Sequence, residues 1–136
     1  MIIVLDTNAL LVSIPQKSVY RPILDALTGG RFDLVLSNEI LSEYVEVIQR
    51  KANHFVANNI AEMLLNLENL KKVEIYFEWR LIERDVDDNK YVDAAIVGLA
   101  DYIVTNDQHF NILKTVNFPK VNTISIEEFL KIILEQ

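Results

Sequence analysis

The segment that most constrains the fold is the first one. Ile2-Ile3-Val4-Leu5 is apolar at every position, so both faces of the strand it forms must be covered, and Asp6 ends it abruptly. A strand buried on both faces belongs in a parallel sheet sandwiched between helices. The remainder of the chain supplies those helices in alternation with further strands. Tyr20, Ile23, Leu24 and Leu27 recur at helical spacing before Gly29-Gly30, a glycine stop. Phe32 to Leu36 reads as a strand, and Ser37 or Asn38 caps a helix running to about Lys51. A second helical pattern covers roughly Phe55 to Leu70, and Val73 to Phe77 is expected to be a short strand. Tyr91 to Ala100 forms a compact helix, Tyr102 to Val104 a strand, and Val121 to Ile124 the last strand. Ser125 and Glu128 are spaced as a capping box for a C-terminal helix. The expected fold class is α/β, a three-layer α/β/α arrangement with a short, mainly parallel sheet, and residues 1–136 are expected to form a single domain.

In such folds ligands bind beyond the carboxyl ends of the strands. Four acidic residues fall on that edge. Asp6 follows the first strand and Asp107 follows the strand at Tyr102 to Val104. Asp88 starts the helix preceding that strand, and Glu43 lies in the second turn of the helix after Leu36. At 100° per residue Glu43 stands about 40° from the apolar stripe of Ile40, Leu41, Tyr44, Val45, Val47 and Ile48, closer than Glu39 or Glu46. Asp88 shares a face with Val92, Ala95 and Leu99, whereas Asp93 projects about 140° away and is a second-tier candidate. Taken singly, each acid also has a plainer reading, as a cap, a turn residue or a solvated helix position.

Two carboxylates at about 4 Å repel by about 4 kcal/mol at an effective dielectric near 20, so a convergent set demands protons or a divalent cation. Oxygen donors with no cysteine and no suitably placed histidine suit Mg²⁺ or Mn²⁺ rather than Zn²⁺. Such a centre binds phosphates and assists their hydrolysis. The formal charge of −7 argues against capture of nucleic acid by a basic surface, so a phosphate-rich partner would come through the cation. His54 and His109 stand isolated, with surface or packing roles expected, and no glycine-rich phosphate loop is present. Arg21, Arg31, Arg80, Arg84 and Lys90 are candidates for the rim of a substrate groove. The absence of cysteine excludes disulfides and thiol nucleophiles. No apolar run is long enough for a membrane span, and a soluble, cytoplasmic protein is expected.

The stretch from Ile2 to Asn8, ending in Asp6-Thr7-Asn8, resembles the opening strand of PIN-domain ribonucleases. Asp88 to Ala95, followed by Ala100 to Asp107 with its ending Ile103-Val104-Thr105-Asn106-Asp107, resembles the C-terminal motif of that family. The helix carrying Glu43 matches the middle acidic position, and the likeness is greatest to the VapC-like toxin components of bacterial toxin–antitoxin pairs. The resemblance implies Mg²⁺- or Mn²⁺-dependent hydrolysis of single-stranded RNA. It implies that Asp6, Glu43, Asp88 and Asp107 hold the metal directly or through water, with Asp87 and Asp93 also near the third acidic position. Asn8 and Thr105 would orient those carboxylates or the attacking water. It further implies a homodimer and a cognate antitoxin that blocks the acidic pocket. Two other readings compete: a non-catalytic module whose acidic pocket receives a partner's basic side chains, and a phosphotransferase with Asp6 as nucleophile. Asn8 counts against the latter, because such enzymes commonly carry a second Asp there.

Overall fold

A computed structural model describes residues 1–136. The strands are β1 (Ile2–Leu5), β2 (Asp33–Leu36), β3 (Leu70–Lys72), β4 (Tyr102–Val104) and β5 (Thr123–Ile124). The helices are α1 (Thr7–Ser13), α2 (Arg21–Thr28), α3 (Asn38–Lys51), α4 (His54–Leu65), α5 (Asn89–Gly98) and α6 (Ile126–Glu135). Short 3-10 turns occupy Val86–Asp88 and Gln108–Thr115. All pairings in the sheet are parallel, in the order β3-β2-β1-β4-β5. The three-layer α/β/α class expected from the first strand is what forms. Ile3, Val4 and Leu5 of β1 and Leu34, Val35 and Leu36 of β2 are completely buried, as strands covered on both faces require.

The strand order decides where a ligand can enter. From β1 the chain steps outward to β2 and β3; from β4 it steps the opposite way, to β5. The carboxyl ends of β1 and β4 therefore flank the topological switch point, where connections diverge to opposite faces and leave a crevice. Asp6 follows β1, and Thr105 and Asp107 follow β4. The amide of Asp6 bonds to the carbonyl of Val104 at 3.2 Å, closing the ladder just below the crevice.

Three elements depart from expectation. The predicted strand at Val73 to Phe77 forms earlier, at Leu70–Lys72. Its partner β2 ends where Ser37 turns aside to cap α3, so only one further ladder bond, Val73 to the Leu36 carbonyl, is possible. Tyr76 and Phe77 are consequently exposed. Helix α4 stops at Leu65 rather than about Leu70. Beyond it, the Asn69 side chain donates to the carbonyls of Leu27 and Phe32 and draws the chain into β3. Helix α1 was not expected, because about two turns after Asp6 carry too little periodicity to read.

Helix α5 lies across β1, β2 and β4. Its last residue, Gly98, sits so close to the sheet that a Cβ there would come within 2.7 Å of the Val35 side chain. Leu99 then ends the helix in the left-handed region, with φ 54°. Tyr44 of α3 is fully buried and donates its hydroxyl proton to the carbonyl of Leu5 at 2.5 Å. This bond indexes α3, and with it Glu43, against the end of β1.

Candidate metal centre

Asp6 is buried, 7% exposed. Its Oδ1 accepts the Ala9 amide at 2.7 Å, capping α1, and its Oδ2 accepts the Thr105 hydroxyl. Burial raises the proton affinity of this carboxyl most; Thr105 and Ala9 oppose the rise, and the charges of Asp107 and Glu43 add to it. Asp107 accepts the His109 amide on Oδ1 at 2.9 Å and so caps its own turn.

Asp88 precedes α5 but makes no capping bond with its side chain, so the plain reading as a helix cap does not account for it. Its carboxyl is raised to about 6, by burial first and then by the charges of Asp85 and Asp107, with His109 opposing. Its Oδ2 is buried without a hydrogen-bond partner.

Glu43 is held differently. The Lys90 ammonium lies 2.5 Å from Oε1, and Oε2 accepts from Thr7 at 2.5 Å and from the Tyr91 hydroxyl. Burial pushes this carboxyl upward, but Lys90, Thr7 and Tyr91 outweigh it and the net position is below the ordinary value. Glu43 thus has a counter-ion of its own, while Asp6, Asp88 and Asp107 have no lysine or arginine partner.

Two sequence candidates stand apart. Asn8 is exposed on α1 and no side-chain hydrogen bond ties it to the carboxylates. Asp93 is buried, but it faces another segment and accepts the Trp79 amide at 3.1 Å. Its carboxyl is raised by burial, opposed by that bond, and raised again by Glu78 and Glu39 rather than by Asp6 or Asp107. Of the basic candidates, Arg21 pairs with Asp25, Arg31 binds the α6 carbonyl of Ile133, and Arg80 pairs with Glu78. Arg84 shares a cleft with Asp107 and His109.

The expectation that no histidine is suitably placed needs correction. His109 Nδ1 lies 3.4 Å from Asp107 Oδ1, 3.6 Å from Asp88 Oδ2 and 3.8 Å from Asp85 Oδ2. Asp85, Asp88 and His109 each offer a ligand atom within 4.8 Å of the others. The Asp107 cap fixes this: His109 follows by two residues in a 3-10 turn, which swings its ring back over the Asp85–Asp88 segment. The Asp-x-His spacing was the one visible signal, and it is too common to stand out.

A PIN domain family model matches residues 2–109. The chain belongs to the PIN domain family. Its fold is also similar to that of a solved chain of VapBC2 from Rickettsia felis, crystallised bound to a DNA fragment from their promoter. The TM-score is 0.62 at 17% identity, covering 92% of this chain and 98% of that one. A comparison with curated proteins found no match. In this PIN domain no helix is long and apolar enough to cross a membrane.

Proposed function

We propose that this PIN domain is a Mg²⁺- or Mn²⁺-dependent endoribonuclease that hydrolyses single-stranded RNA. The observation that carries the reading is the buried Oδ2 of Asp88, which has no hydrogen-bond partner and lies beside Asp85 and His109. Buried polar atoms are almost always bonded, and carboxylates whose only nearby basic group is the His109 imidazole are a donor set that fits a hard divalent ion. Asp6, Asp88 and Asp107 would hold it, with Glu43 acting through water from its anchored position. A bound ion of this type supplies charge stabilisation at phosphorus and acidifies water.

The chain's own residues do the rest. Thr105 orients Asp6 by donating to its Oδ2, leaving the carboxylate aligned for an ion. Tyr44 and Ser37 fix the start of α3, and Lys90 holds Glu43 in one rotamer. Arg84, in the cleft beside Asp107, is the cation available to an RNA phosphate on that side.

The family and the VapBC2 likeness support a biological role as a toxin restrained by a cognate antitoxin, to which the proposal adds a cytoplasmic homodimer. Basic antitoxin side chains would enter the acidic crevice. A small adjacent open reading frame encoding a basic-tailed DNA-binding protein supports that role; a gene standing alone removes the toxin label and leaves the nuclease one. The Glu43–Lys90 bond shows that this rim accepts an ammonium group, which is the contact a non-catalytic binding module would make. Cleavage of mixed RNAs with and without Mn²⁺ tests the proposal. Asp6→Asn is expected to abolish cleavage while keeping the fold, and undiminished cleavage by that variant or in excess chelator refutes it. Failure of the wild type to bind Mn²⁺ in calorimetry selects the binding module instead.

A further inference from the structure

We propose that His109 is a nitrogen ligand of the centre, closing it together with Asp88 and Asp85 and biasing it toward first-row transition ions over Mg²⁺. The inference rests on the metal-dependent reading above and adds a residue that the acidic motif does not contain. Nδ1 of His109 is buried and lacks a hydrogen-bond partner, as does the Asp88 Oδ2 opposite it. The two atoms lie 3.6 Å apart, too far for a direct hydrogen bond and near enough to share one ion.

Ligand atoms each about 2.1 Å from a common octahedral ion stand about 3.0 Å apart when adjacent. His109 Nδ1 lies 3.6 Å from Asp88 and 3.8 Å from Asp85, so these groups need to close by less than about 1 Å to take up one ion. The ring is positioned before any ion arrives, because the His109 amide is bonded to Asp107 Oδ1. Mg²⁺ keeps to oxygen donors and retains its waters, whereas imidazole is a favoured donor to transition ions. A single nitrogen in an otherwise oxygen-lined centre therefore raises affinity for Mn²⁺ and its heavier neighbours with little gain for Mg²⁺.

The competing explanation is that His109 is a protonated counter-ion, neutralising Asp85, Asp88 and Asp107 and ligating nothing. Pulsed electron paramagnetic resonance of the full chain loaded with Mn²⁺ separates the two. The proposal expects ¹⁴N coupling from a directly bound imidazole in the wild type and its loss in His109→Asn. Calorimetric titration of both proteins with Mn²⁺ and with Mg²⁺ is expected to show Mn²⁺ affinity falling about tenfold or more in the variant, with Mg²⁺ affinity changing much less. Bound Mn²⁺ without ¹⁴N coupling overturns the ligand role and leaves the nuclease reading standing. Equal loss for the two ions overturns the bias, and absence of any Mn²⁺ binding to the wild type overturns both readings.

Discussion

Asp88→Asn is the most informative single perturbation, because folding and ion binding respond in opposite directions. The carboxyl stands at about 6 in the folded chain against an ordinary 3.8. At 1.36 kcal/mol per pH unit that displacement corresponds to about 3 kcal/mol against the charged form, and partial solvation reduces it to about 1–2 kcal/mol. An amide of the same shape removes the charge and can donate to Asp85, Asp107 or the free His109 nitrogen. The chelated variant should therefore be more stable than the chelated wild type at pH 7.5, by about 4–8 °C in Tm. The pH dependence has a fixed sign. A carboxyl raised in the folded state favours folding fully below the unfolded value, near 3.8, and that advantage is lost as pH rises through about 6. The gap between variant and wild type should accordingly vanish near pH 4 and be complete above pH 7. Saturating Mn²⁺ should reverse the order, since an ion at a hundredfold its Kd stabilises its host by about 2.7 kcal/mol and the variant loses a ligand. Thermal melts at pH 4 and 7.5, with chelator and with Mn²⁺, check all of this. A chelated wild type more stable than the variant at pH 7.5, or a gap unchanged at pH 4, refutes the reasoning.

Other expectations concern the scaffold. Tyr44→Phe leaves the buried Leu5 carbonyl without its donor and should cost about 1–3 kcal/mol in urea denaturation, with reduced RNA cleavage because α3 is no longer indexed to β1. Gly98→Ala forces a methyl into Val35 and should cost about 1–3 kcal/mol, with Val35→Ala in the same chain recovering part of the loss. Glu43 sits below its ordinary 4.5, so its contribution to stability is present above that pH and is lost as pH falls through its lower folded value. Lys90→Met should flatten this acid limb in denaturation midpoints measured from pH 3 to 6.

The fold was legible where one face or both were plainly apolar. Ile2 to Leu5 announced a central parallel strand, and Ser37, Gly29 and Ser125 marked helix ends by local chemistry that tertiary structure did not override. The strand near residue 73 was misplaced because its length depends on where β2 stops, which is information held in another segment. The same division holds at the centre. Helical phase correctly turned Glu43 inward, and strand ends placed Asp6 and Asp107 at one edge. Yet phase says nothing of what meets a side chain on arrival, so the Lys90, Thr7 and Tyr91 partners of Glu43 were invisible. His109 and Asp85 were missed for a related reason: both lie at 3-10 turns, where no 3.6-residue period exists to extrapolate.

The four acids proposed for the centre stand at positions 6, 43, 88 and 107, spread along most of the chain. Synthesis runs from the first of these to the last, so an emerging polypeptide holds only scattered acids until its final quarter has left the ribosome. Whatever this constellation does, its onset waits for its last member, Asp107, to emerge.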